Sequence, residues 1–275
     1  MTMQHSNIAD SWTPTDIGEL LNKAIQAKSV AIQASTLVRT ERVKIQFPLW
    51  VSDPAVNWLA ELEEITATDG STGEVVCIPS KVGGITRLSS ESVDDSDPAI
   101  ADQVADGLAN QIANGIDVAF LGDGSGDAKV PDGLLSTAYQ TVDTGASITN
   151  LDPFVAAIFK ARAVGAKLTH WVMSDTTAET LSKIKKQTGS NETLLQLVAD
   201  GLQVAGLPVL THPSVDAATF AWGIDATRTK TVVRKDTEVK RFDAVSVDGV
   251  DIRAIARAGF AFLHPQANVR LYDAS

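Results

Sequence analysis

Ser96-Asp97-Pro98-Ala99-Ile100-Ala101-Asp102-Gln103-Val104-Ala105-Asp106-Gly107-Leu108-Ala109-Asn110-Gln111-Ile112-Ala113-Asn114-Gly115-Ile116-Asp117-Val118-Ala119-Phe120 reads as one helix. A capping residue followed by proline at the first helical position opens it. Ile100, Val104, Leu108, Ile112, Ile116 and Phe120 recur every fourth residue, while Asp102, Asp106, Asn110, Asn114 and Asp117 occupy the other side. At 1.5 Å per residue the span 98–120 is about 35 Å long, enough to brace a flat, extended domain. Gly122-Asp123-Gly124-Ser125-Gly126-Asp127 stops it. Two interior glycines, Gly107 and Gly115, each cost about 0.8–1 kcal/mol against alanine. They lie roughly 80° apart around the helix. Close packing by a facing element explains them simply; a lowered cost of bending, making them a hinge, is the sharper reading.

Upstream, residues 1–12 are polar and without hydrophobic period, an arm or flexible lead. Thr13-Pro14-Thr15-Asp16 opens a helix carried by Ile17, Leu20, Leu21, Ala24 and Ile25. Arg42-Val43-Lys44-Ile45-Gln46-Phe47 alternates polar with apolar and predicts a half-buried strand closed by Pro48. Residues 52–88 predict a long hairpin. Trp58-Leu59-Ala60-Glu61-Leu62 leads to the turn cluster Thr68-Asp69-Gly70-Ser71-Thr72-Gly73, and Glu74-Val75-Val76-Cys77-Ile78-Pro79 returns. Its acidic outgoing limb has little apolar surface of its own, so the hairpin is expected to lie on something else. Downstream the pattern becomes α/β. Asp152-Pro153 and Ser174 open helices around the strand Leu168-Thr169-His170-Trp171-Val172-Met173. Short strands follow near 207–210, 220–224, 231–234 and 239–242, and 245–263 reads as one or two long strands.

The composition bounds the function. With 275 residues, 44% of them apolar, the chain can bury a sizeable core. Its 36 alanines against 5% aromatics make that core one of small groups. The single cysteine, Cys77, excludes an intrachain disulfide or a multi-cysteine zinc site. A net charge of −11 excludes a protein that grips duplex DNA through many phosphates. The charge is uneven: between Glu61 and Asp106, eleven acids face only Lys81 and Arg87, while 160–190 and 228–241 each carry six Lys/Arg against two acids. Such segments can complement each other between copies of the chain. No apolar run reaches the roughly 18 residues that span a bilayer. Residues 1–6 lack the features of a secretory signal. The sequence reads as a soluble intracellular product.

Chemistry is sparse. His5, His170, His212 and His264 are scattered without metal-ligand spacing. Asp123-x-Ser125-x-Asp127 begins like a calcium loop, but Ala128 replaces its glycine and Leu134 its bidentate glutamate. No phosphate loop, HExxH or nucleophile elbow occurs. Trp58, Trp171 and Trp222 read as packing anchors. Asp123, Asp127 and His170 are the best candidates for a polar site, and they are poor ones. No catalytic, metal or cofactor-binding residue is assigned, and no enzyme is expected.

The order of parts resembles the major capsid proteins of tailed bacteriophages, the Hong Kong 97 type of shell protein. Local phrases agree with it: Ser89-Ser90-Glu91-Ser92-Val93-Asp94-Asp95-Ser96 before the helix; Asp117-Val118-Ala119-Phe120-Leu121-Gly122-Asp123-Gly124 with Pro131-Asp132-Gly133-Leu134-Leu135 after it; Trp171-Val172-Met173-Ser174; Gly206-Leu207-Pro208-Val209; and Ala254-Ile255-Ala256-Arg257-Ala258-Gly259. The resemblance implies an α+β fold: an N-arm over 1–47, an E-loop with flanking strands over 48–88, and a peripheral domain over 89–135 whose spine helix is 98–120. An axial α/β domain over 136–242, return strands over 243–265 and a C-terminal tail over 266–275 follow.

The same resemblance implies a major capsid protein that self-assembles as hexamers and pentamers into an icosahedral shell around double-stranded DNA, held without sequence-specific binding. Portal, scaffold or protease, and decoration proteins are the implied partners, with no membrane and no cofactor. The place is the virion, assembled in the bacterial host cytoplasm. An encapsulin-type compartment enclosing a cargo enzyme shares the fold and is the alternative. Trp58, Glu61, Glu63, Glu64, Lys81 and Arg87 are expected at E-loop contacts between subunits, and Gly107 and Gly115 at a spine-helix hinge. Some members carry a cleaved scaffolding domain; here Met1 stands almost at the arm, so none is expected. Others weld subunits with a Lys–Asn bond promoted by a buried Glu, but Ile252-Arg253-Ala254-Ile255-Ala256-Arg257 offers no carboxylate. No cross-link is expected.

Overall fold

The computed structural model describes residues 28–62, 64–89, 91, 99–124, 127–185, 192–198, 201–235, 237–244 and 247–274. The helix opening at Thr13-Pro14-Thr15-Asp16, the helix start at Ser96-Asp97-Pro98, and Glu63 lie outside the described residues. In chain order, a short helix α1 (Val30–Ala34) leads to strand β1 (Thr36–Thr40). Then come β2 (Ile45–Ser52), β3 (Ser71–Cys77), β4 (Ser80–Ser89) and the long helix α2 (Ala99–Leu121). Strand β5 (Gln140–Asp143), helix α3 (Asp152–Ala163), β6 (His170–Met173) and α4 (Asp175–Lys183) begin the α/β region. The remainder is β7 (Gln196–Val198), β8 (Gly201–Val204), β9 (Leu207–Thr211), β10 (Thr219–Ile224), β11 (Thr229–Arg234), β12 (Glu238–Asp243), β13 (Gly249–Phe262) and β14 (Val269–Tyr272).

Two sheets organise these elements. In the first, the 14-residue β13 pairs antiparallel with β4 along one side and with β12 and β11 along the other. β1 adds outside β11 in parallel. The alternation of β13 turns Ile252, Ala254, Ala256 and Ala258 inward. Helix α2 covers Ala254, Ala256 and Ala258 with Ala109, Ile112, Ala113 and Ile116, all buried in one cluster. Small residues on both surfaces let helix and sheet approach closely, which accounts for an alanine-rich core. Phe120 closes the cluster, its ring 5.2 Å from Phe260 edge-on and 6.1 Å from Phe262.

The second sheet runs β5-β14-β10-β6-β9-β8-β7. Its core packs Phe154 of α3 edge-on against Trp171 at 5.0 Å. Ser174 caps α4, accepting from the Thr177 amide, as its sequence position indicated. α3 ends at Gly165, whose φ of +68° suits glycine.

Several expectations are corrected. The strand expected to close at Pro48 runs on to Ser52, because β2 is an edge strand, where proline deprives no partner of a donor. The hairpin is β2–β3 rather than 52–88: β4 lies in the first sheet, paired with β13 over ten residues. Strands β11 and β12, expected in an axial domain over 136–242, pair with β13 in the first sheet. The expected tail 266–275 contributes β14, seated between β5 and β10 with Val269 and Leu271 buried. Trp171 and Trp222 are fully buried anchors, but Trp58 is fully exposed and packs on no described element.

Candidate functional site

The hairpin is held at its base and free at its tip. At the base, Ile45, Phe47, Val75 and Cys77 pack on Val232, Ala261 and Val38 of the first sheet. Further out, the strands stay in register to Trp50 opposite Thr72, and the Ser52 and Ser71 hydroxyls meet at 2.7 Å. Gly70 lies under Trp50, where a Cβ would come within 2.4 Å of the indole. Beyond that point, among the described residues, no other strand or helix covers the tip. Val56, Trp58 and Leu62 are 92%, 103% and 101% exposed, Ile65 is exposed as well, and Glu61 and Glu64 stand beside them in solvent. A monomer gains nothing from presenting so many large apolar groups on one extended arm.

A second surface has the opposite charge. The outer face of the first sheet carries Lys81 directly across from Arg257, and Lys240 directly across from Arg253. Like charges directly opposite in an antiparallel pair are destabilising. Arg253 lies over the Phe242 ring at 4.7 Å, Lys240 pairs with Glu238, and Ile85 is exposed among them. Arg87, expected at a subunit contact, grips Asp251 of its own chain with two bonds of 2.7 and 2.8 Å. That hydrogen-bonded pairing raises the Arg87 pKa and lowers that of Asp251. Lys81, expected in the loop, belongs to β4. Trp58, Glu61 and Glu64 are thus together at the tip, and Lys81 and Arg87 are on the sheet.

The two glycines of α2 differ. A Cβ on Gly115 would meet Val82 Cγ2 of β4 at 3.3 Å, so close packing accounts for it; around Gly107 nothing lies within 4 Å. Sequence reasoning missed Asp117, which it set on the polar face. The carboxylate is buried and faces residues 29–31 and His212. Burial pushes its pKa up, opposed by its hydrogen bonds to Ser29, Ala31 and Val30 and by His212. Nothing in the local spacing could have found it, since its partners are 86–88 positions earlier. Among the described residues no group of three or more His, Cys, Asp or Glu could hold a metal, and no helix is long and apolar enough to cross a membrane. Asp127 closes a local turn, its Oδ1 accepting from the Lys129 amide at 2.9 Å.

Comparison with known proteins gives one family and many folds alike. The model of the Phage capsid family matches residues 12–272. A chain of Mycobacterium phage Adephagia superposes with a TM-score of 0.75 at 15% identity, covering 100% of this chain and 99% of that one. The capsid of an empty GTA particle gives 0.74 at 21% identity, covering 90% of each chain. Mycobacterium phage Bobi gives 0.73 at 17%, covering 90% and 91%. No curated protein sequence matches.

Proposed function

The chain belongs to the phage capsid family, and from that premise we propose that it is the major capsid protein of a tailed bacteriophage. Copies assemble as hexamers and pentamers into an icosahedral shell that encloses double-stranded DNA in the virion. Assembly takes place in the host cytoplasm, with portal, scaffold or protease, and decoration proteins as further partners. The protein performs no catalysis. The observation that supports this reading is the exposure of Val56, Trp58, Leu62 and Ile65 on the hairpin tip, a surface suited to another chain.

The tip of one copy is proposed to lie on the outer sheet face of the next. Trp58 and Leu62 supply the attraction, because burying such a side chain is worth about 1.5–3 kcal/mol. Glu61, Glu63 and Glu64 choose the site by facing Lys81, Arg253 and Arg257, relieving the like-charge pairs. Each exposed ion pair adds only about 0.2–1 kcal/mol, so its effect comes from repetition around the shell. Glu61→Lys with Glu64→Lys should abolish particles seen by electron microscopy, as should Lys81→Glu with Arg257→Glu. Combining the four changes should restore them, filled with DNA when made during infection. Normal particles from either charge-reversed pair would overturn the contact, and particles empty of DNA at every stage would overturn the function.

A further inference from the structure

Asp117 is 2% exposed and lies in the last third of α2. A buried carboxylate is tolerated only where donors converge on it. Its Oδ1 accepts from the Ser29 hydroxyl at 2.6 Å and the Ala31 amide at 2.8 Å, and its Oδ2 from the Val30 amide at 3.0 Å. All three donors come from the segment that enters α1, far away in sequence. A third part of the molecule also reaches this point. His212, just after β9 of the second sheet, sets Nε2 at 3.6 Å from Oδ2, and its Nδ1 accepts from the Ser214 amide at 3.2 Å. With Nδ1 accepting, the proton of the neutral ring is on Nε2 and faces the carboxylate.

The segment itself is short and built of small groups. α1 has five residues, far short of the roughly 12–15 at which an isolated helix is even marginal. Its buried side chains Val30, Ala31 and Ala34 reach the core cluster around Phe120, with Ile32 half-buried against it, but all except Val30 and Ile32 are alanines. Lys28 reaches Asn110 Oδ1 at 2.6 Å in solvent, the Ser35 and Thr231 hydroxyls meet at 2.6 Å, and the Thr231 hydroxyl lies 3.3 Å from the Ala31 carbonyl. The large groups of the two cores, Phe120 and Phe260 in one and Trp171 and Phe154 in the other, all come from other elements.

We propose that residues 28–35 form a detachable strap and that the Asp117 carboxylate is its fastening, so that the strap can leave while both cores stay folded. Because the same carboxylate touches His212, docking of the strap also reports how the long helix sits against the second sheet. Such a segment is a two-state element of low local stability. The proposal rests on contacts within one chain and does not require the shell reading.

Hydrogen exchange of the full, unassembled chain tests it. In Asp117→Asn one oxygen becomes a donor that faces donors. Peptides covering 28–35 should then exchange at least tenfold faster, while β6, β10 and β13 stay within twofold of the parent. Ser29→Ala should speed the same peptides by a smaller factor. Unchanged exchange at 28–35 in Asp117→Asn overturns the fastening, and equal acceleration in β6, β10 and β13 overturns detachability. Where Asp117→Asn does not fold, Ser29→Ala decides by the same two criteria.

Discussion

Cys77 lies at the seam between the hairpin and the first sheet, and burial pushes its thiol up to about 11. Its ordinary pKa is about 8.5. A folded pKa raised above the unfolded one contributes stability that is whole below about pH 8.5 and lost as pH rises towards 11. Only the thiolate reacts with alkylating reagents, so labelling of the native chain at pH 8 should be slow and become fast on unfolding. Gly259 keeps the seam closed: an added Cβ would stand 2.9 Å from Sγ and 3.1 Å from Pro79 Cα. Gly259→Ala should lift the hairpin's base and speed labelling of Cys77 at least tenfold, measured by mass spectrometry. Labelling unchanged by this substitution would mean that the seam yields in some other way. The cysteine was plain in the sequence, but its burial was not, because Val232 and Ala261 approach it only through sheet pairing.

Helix α2 was legible from its repeat of apolar residues, since every turn carries the same signal. What faces it was not. Val82, which touches Gly115, belongs to a strand whose register is set by β13, more than 150 residues further on. For the same reason neither the start of the hairpin nor β14 can be read locally: four residues of alternation acquire meaning only between β5 and β10. The glycines now separate. Gly107→Ala should raise stability by about 0.8–1 kcal/mol, the helix-propensity difference, since nothing obstructs the methyl. Gly115→Ala gains the same propensity but must displace Val82, and overpacking of that kind costs about 1–3 kcal/mol. Urea midpoints should therefore move in opposite directions or leave Gly115→Ala unchanged. Only Gly107 keeps the hinge reading, under which its alanine variant should assemble poorly as a procapsid or expand early. Equal destabilisation by both substitutions would remove it.

At the scale of the whole molecule, charge and apolar surface are divided between two ends: an acidic, apolar tip on the hairpin and a cationic outer face on the first sheet. The acidic block and the basic stretches were visible in the sequence. Their assignment to a loop tip and a sheet face was not, because it depends on which side of β13 and β4 each residue turns. This division also bears on covalent joining of subunits. The lysine–asparagine weld that the family resemblance implies in some members requires a lysine beside a buried glutamate. In β13 the inward positions Ile252, Ala254, Ala256 and Ala258 are all apolar. Its single carboxylate, Asp251, is held on the outer face by Nε and Nη2 of Arg87. Lys81 stands opposite Arg257, six residues along the strand from Asp251, or about 20 Å at 3.3 Å per residue. On β13, then, no buried carboxylate stands ready to take a proton from an attacking amine. Shells boiled in detergent should therefore run as a single band at the 29.1 kDa of one chain. A ladder of dimers, trimers and higher multimers would show that a weld forms through groups other than these.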